Sequence, residues 1–184
     1  YGGTNIIMRY TLRMLTAQHF TRAATLICAC ELIRREDAER FCEEPVTIGL
    51  WIGGNHVPNK FSGSKDYPGA LENLNALKND RSGNAVNRLQ ILRCPWCGTE
   101  MVPEHKGKQA AWGYHADKES FYFSCPHEAC PFHGEDEYGE NPEEALPLQV
   151  IDEGLYQHPP TLLIGTIDKF AQIAGTQIES DQIL

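Results

Sequence analysis

Four cysteines in two close pairs are the residues of this chain whose types and spacing could do chemistry. Cys94 and Cys97 form a C-x2-C pair in ILRCPWCGTE (91–100), and Cys125 and Cys130 form a C-x4-C pair after a gap of 27 residues. Zinc takes four thiolates readily, in a tetrahedron. A tight C-x2-C turn sets two sulfurs on one side of an ion, and Gly98 lets the chain fold back at once. The expected ligand set is therefore Cys94, Cys97, Cys125 and Cys130 around a structural Zn2+. A C-x2-C pair can also be a redox couple. That chemistry uses a helix N-terminus to lower the thiol pKa, and a segment carrying Gly98 and Pro103 starts no good helix. His127 and His133 flank the second pair in CPHEACPFHG, and either could stand in for a cysteine; four thiolates are the simplest set. A site closed by four cysteines has no open position, so no catalytic residue is assigned.

Strand-like runs, LQILRC and SFYFSC, lead into both pairs, which is the layout of a zinc ribbon over 91–134. Trp96, Trp112, Tyr114, Phe121, Tyr122 and Phe123 read as the small core of such a module, with stacking on nucleic-acid bases as the alternative. Around it the pattern is α/β. NIIM (5–8) reads as a short buried strand. A helix is expected over 17–42 with Thr16 as its N-cap. Its stretch ATLICACELI is apolar nearly all round, as suits a helix packed on a parallel sheet. VTIGLWIGGN (46–55) reads as a second strand ending in Gly-Gly, which completes a βαβ unit. PGALENLNALK (68–78) reads as a helix, and TLLIGT (161–166) as a third strong strand leading into the helix DKFAQIAG. The chain divides into an α/β segment (1–60), a partly helical lead-in (61–90), the zinc ribbon (91–134), an acidic linker (135–147) and a resumed α/β segment (148–184).

Of the 184 residues 41% are hydrophobic and 22% charged, which is ordinary globular composition. No apolar run approaches the about 18 residues of a membrane-crossing helix, so no membrane partner is expected. YGGTNIIMRYTL lacks the succession of a signal peptide and has no initiator methionine, so the chain reads as an internal fragment. Seven cysteines cannot all pair. Cys28 and Cys30 lie in the apolar helical run and read as buried thiols, and Cys42 is isolated. A reducing cytoplasm with one metal site suits this pattern. The net charge of −9 argues against nucleic-acid binding by the whole chain. Residues 1–35, however, carry five Arg against Glu31 alone, which keeps such binding open locally.

Three stretches carry a resemblance. MRYTLRMLTAQHFTRAATLI (8–27) resembles the region around motif Ia of superfamily 2 helicases. IGLWIGGN (48–55) resembles the strand and Gly turn that follow, and PPTLLIGTIDKFA (159–171) the strand ending in the threonine of motif Ib. The order of the RYTLR-x-LT-x-Q run, the CPWCG insert and the GT-x-DKFA run is similar to the helicase subunits of the DISARM anti-phage defence system and related bacterial helicase-like proteins. The resemblance implies part of a RecA-like parallel sheet with flanking helices, interrupted by the zinc-ribbon-like insert. It further implies a fragment of an ATP-dependent DNA helicase or translocase. The ATP- and Mg2+-binding G-x-x-x-x-G-K-[ST] loop and the Asp-Glu motif of such a parent lie outside this chain, so the fragment alone is expected to be inactive.

The resemblance places Arg13, Thr16, Gln18, Gly53, Gly54, Thr166 and Lys169 against nucleic acid. Free N–H groups at a helix start favour phosphate, and a Gly turn lets a strand of nucleic acid approach closely. Contacts of this kind read the DNA backbone rather than the bases and weaken with salt. A partner subunit of a defence complex is the other expected contact. The competing reading is a zinc-ribbon module that binds protein and has no motor role; a thiol oxidoreductase is disfavoured by the ligand spacing.

Overall fold

The computed structural model describes residues 3–11, 13–53, 56–80, 82–104, 110–136 and 139–173. The first part of the chain forms β1 (Ile6–Tyr10), α1 (Arg13–Glu36), α2 (Ala38–Phe41), β2 (Ile48–Trp51) and α3 (Ala70–Asn79). The insert contributes β3 (Tyr114–Ala116), β4 (Phe121–Phe123) and two very short strands, β5 (Glu135–Asp136) and β6 (Gly139–Glu140). The chain then returns through β7 (Leu148–Gln149), α4 (Asp152–Gln157), β8 (Leu162–Thr166) and α5 (Ile167–Ile173). The α/β class expected from the sequence is the class observed: a parallel four-stranded sheet flanked by helices.

The strand order β1-β8-β2-β7 differs from the simple βαβ expectation in one respect. β1 and β2 do not touch; β8 lies between them, with Leu163 opposite both Ile7 and Gly49. The last strand in sequence is therefore central, and its LLIGT run is buried throughout. Successive residues of a strand face opposite sides of the sheet. Ile48, Leu50, Leu162 and Ile164 accordingly join the large core that also takes in Phe20, Ile27 and Cys28 of α1. Trp51 and Leu163 face the other side, with Leu155 of α4 and Phe170 of α5. Gly49 is required there, because a Cβ would lie 2.5 Å from Leu155 Cδ2 and 2.6 Å from Pro160 Cγ. The expected buried strand NIIM is instead an edge strand: Ile6, Ile7 and Met8 of β1 are 55, 38 and 40% exposed.

Helix α1 starts at Arg13, four residues before the expected 17, so Thr16 lies inside the first turn and is not the N-cap. Arg, Met and Leu are good helix formers, and one β-branched threonine does not stop a helix they have begun. The helix ends at Glu36 rather than 42, because Asp37 opens α2 by accepting the Arg40 N–H at 3.2 Å. The segment LQVIDEGLY forms β7 and α4, neither of which its short apolar run announced. LQILRC forms no strand; its pairing is a single bridge between Arg93 and Glu100. The acidic linker contains the β5–β6 pair and a 3-10 turn at Pro142–Glu144. Among the described residues no helix is long and apolar enough to cross a membrane.

Glu31 fastens α1 to the start of β2. Its buried carboxylate accepts from Arg34 Nε at 2.8 Å, Arg35 Nε at 3.0 Å and the Val46 N–H at 2.9 Å. Burial pushes this carboxyl up, but the bonds from Arg34, Val46 and Arg35 outweigh it and hold the group below its ordinary 4.5. A carboxyl lowered on folding adds stability that is present above its unfolded value and is lost as pH falls through the lower folded one. Urea unfolding followed from about pH 7 down to about pH 3, through and below the ordinary carboxyl value, is expected to show that loss in the natural chain and a flatter profile in Glu31→Gln.

Candidate metal centre

Two reverse turns build the centre. In the first, the Cys94 N–H donates to Thr99 O at 2.8 Å and the Gly98 N–H to Cys94 O at 2.9 Å. Gly98 sits at φ +79°, a left-handed conformation that a side chain would strain. In the second, the Cys125 N–H donates to Phe132 O at 2.7 Å and the Cys130 N–H to His127 O at 2.9 Å. The antiparallel pair β3–β4 delivers the chain into this second turn, with Tyr114 opposite Phe123.

The four Sγ atoms of Cys94, Cys97, Cys125 and Cys130 all lie within 4.8 Å of one another. A Zn–S bond of about 2.3 Å makes each edge of a tetrahedron about 3.8 Å, so the cage fits such an ion with small adjustment. Cys97 Sγ and Cys125 Sγ, one from each turn, are already 3.4 Å apart. Cys94, Cys125 and Cys130 are buried and Cys97 is exposed. The hydrogen bond with Cys125, helped by the Cys97 and Trp96 N–H groups, lowers the Cys94 thiol to about 5 against the pull of burial. The same contact raises Cys125, and burial raises Cys130 to about 11. Cys94 is thus set to be a thiolate, and Cys125 and Cys130 would release their protons on binding a metal.

Neither histidine joins the group of ligand atoms. His127 is exposed, and His133 donates from Nδ1 to Cys125 O at 2.6 Å, which props the second turn from outside. The redox arrangement is absent: Cys94 and Cys97 sit in a turn rather than at a helix start. Of the aromatic residues, Tyr114, Phe121 and Phe123 are buried against one another, and Trp96 is 42% exposed with its ring edge on Phe132 at 6.1 Å.

The centre does not stand apart from the sheet. Cys94, Cys125, Cys130 and Phe132 belong to the same core as Phe20 and Ile48. Thr25 of α1 donates to Pro95 O at 3.0 Å, and the Arg35 guanidinium lies 5.2 Å over the Phe132 ring. Cys28 of α1 is fully buried in this core. Burial, with added repulsion from Cys94 and Cys130, pushes its thiol up to about 12. It therefore stays a neutral packing group beside the four-cysteine group. Cys28→Ala is expected to leave metal content and the four thiols released by chelator unchanged, while lowering stability by about 1 kcal/mol; metal analysis with a thiol titration reads the first and urea unfolding the second.

The other candidate residues gather at one edge of the sheet. Because β1, β8 and β2 run parallel, the starts of α1 and α5 and the turn after β2 all leave from its C-terminal edge. Arg13 and Thr16 lie in the first turn of α1; their side chains, like the whole of Gly54, lie outside the described part. Gln18 is exposed. Gly53 follows β2, and its carbonyl accepts the His56 N–H at 2.9 Å. Thr166 and Lys169 do not reach the surface as expected. Thr166 is 1% exposed, and its hydroxyl has no partner among the described residues. Lys169 is 7% exposed, gives its ammonium to Asp152, and lies 5.7 Å over the Trp51 ring. Asp152 is invisible as a partner in the sequence, since 17 residues and a strand separate the two.

No family model matches this chain. It is similar to the DISARM protein DrmA of Bacillus paralicheniformis, with 29% identity over 179 residues. That match takes in 94% of this chain, which spans 14% of the length of the relative.

Proposed function

We propose that this chain is the nucleic-acid-facing part of an ATP-dependent DNA helicase or translocase of bacterial anti-phage defence, acting in the cytoplasm and stiffened by a structural Zn2+. The observation that carries the reading is the convergence of three segments on one edge of a parallel sheet. These are the start of α1, the turn after β2 and the β8–α5 junction. Ligands of open α/β sheets bind at that edge. The similarity to a DISARM protein supports the defence setting. Arg13, the backbone at the start of α1 near Thr16, Gln18 and the Gly53–Gly54 turn would contact the DNA backbone. Thr166 and Lys169 would shape the edge from inside. ATP and Mg2+ would bind elsewhere in the parent. The alternative, a zinc module that binds only protein, fits less well with cysteines that share one core with the sheet.

The test uses the full-length parent protein and two unrelated DNA sequences. Equal affinities that fall with salt are expected, along with DNA-stimulated ATP hydrolysis and weaker binding by Arg13→Ala. A protein that holds zinc but binds no DNA at low salt sinks the motor reading.

A further inference from the structure

Gln90 is the only non-glycine residue at positive φ among the described residues, at +65°. The Ile91 N–H donates to Leu89 O at 2.8 Å, so the chain closes a γ-turn around Gln90 of the rarer, strained hand. A side chain there is crowded by the backbone, and glycine would fit better. The turn is held from both sides. The Leu89 N–H donates to Asn87 Oδ1 at 2.9 Å, and Tyr114 Oη donates to Ile91 O at 2.6 Å. Leu89 and Ile91 are both buried. Strain kept in place this way points to something that the side chain supplies.

What glutamine supplies is one hydrogen bond. Gln90 Nε2 donates to His56 O at 2.8 Å. The His56 N–H in turn closes the turn on Gly53 O at 2.9 Å. The same short lead-in runs on to Cys94, so one end of it is fixed by the metal cage and the other reaches the loop after β2. At the far root of the insert, Asp152 takes Lys169 just beyond Thr166, and the Glu153 N–H donates to Asn59 O at 2.9 Å. Both roots of the insert therefore brace loops at the C-terminal edge of the sheet.

We infer that Gln90 is a positioning residue: from the root of the metal-bearing insert it holds the Gly53 turn in the place where that turn meets the nucleic-acid backbone. The role rests on the motor reading proposed above. Its chemistry demands a donor, so an ionised glutamate of nearly the same shape does not serve. Glycine removes the strain and the clamp together.

Gln90→Gly and Gln90→Glu in the full-length protein test it, with amide hydrogen exchange at His56 and Val57, DNA affinity, metal content and melting temperature measured on each. Gln90→Gly is expected to keep its metal and melting temperature, to exchange faster at His56, and to bind DNA about three- to tenfold more weakly, the worth of one lost hydrogen bond. Gln90→Glu is expected to show the same exchange and affinity changes. Unchanged exchange at His56 in both variants overturns the clamp, whatever happens to DNA binding. Faster exchange with unchanged DNA affinity overturns the positioning role and leaves the motor reading standing. An unsubstituted protein that binds no DNA sinks the motor reading, and the positioning role with it.

Discussion

Removing the metal, or replacing Cys125 with serine, is expected to lower the melting temperature of the whole chain rather than loosen one hairpin. Cys94, Cys125 and Cys130 are buried in the same core as Phe20 of α1 and Ile48 of β2. Without an ion, three buried sulfurs of that core and the exposed Cys97 have nothing to tie their two turns together. Structural zinc sites contribute about 10–16 kcal/mol on binding, whereas an ordinary domain is stable by only about 5–15 kcal/mol. Even a loss of about 5 kcal/mol lowers the melting temperature of a chain this size by about 10–20 °C. Calorimetry with and without chelator, alongside metal stoichiometry, checks it. Two separate transitions, with the sheet melting unchanged, would show that the centre is an appendage. The metal is also expected to be lost in acid. Cys125 and Cys130 are raised and hold protons in the metal-free cage. Binding expels those protons, so falling pH favours the metal-free form.

Breaking the Lys169–Asp152 pair comes next in size. The two side chains are 8 and 7% exposed, one on α5 and one on α4. Asp152→Ala leaves a buried ammonium beside the Trp51 ring with no counter-charge, and Lys169→Met leaves a buried carboxylate. Each is expected to cost about 3–5 kcal/mol. The double variant Asp152→Leu, Lys169→Met replaces both charges with apolar groups and is expected to be more stable than either single one, because a buried pair repays little more than its own desolvation. Urea unfolding of the four proteins completes the cycle. Additive losses of less than about 1 kcal/mol each would mean that water reaches the pair.

The two predictions differ in how much of their basis could be read without a fold. The four cysteines of the candidate metal centre sit in two tight turns, and C-x2-C followed by glycine is a local instruction: neighbouring residues alone set two sulfurs side by side. The strands of β2 and β8 were legible for a similar reason, as short runs of buried side chains bounded by Gly, Pro and Thr. The pair between Asp152 and Lys169 was not, and Lys169 read instead as a surface cation beside phosphate. Thr16 read as a helix cap because a hydroxyl before an apolar run is a common start signal, while the residues before it are themselves able to start the helix. NIIM read as buried although it forms an open edge, because an apolar run carries no information about how many neighbours a strand will have.

Local pattern alone was enough for the class of fold, the four cysteines of the candidate metal centre and the strands β2 and β8. Long-range packing settled that β8 enters between β1 and β2, that His133 props the second turn from outside the four-cysteine group, that Lys169 turns inward to Asp152, and that Gln90 reaches His56 from a strained turn. The division has one physical cause. Turn geometry and hydrophobic periodicity depend on residues a few positions apart, whereas these four outcomes depend on which distant segments meet once the chain has packed, and no local pattern records that meeting.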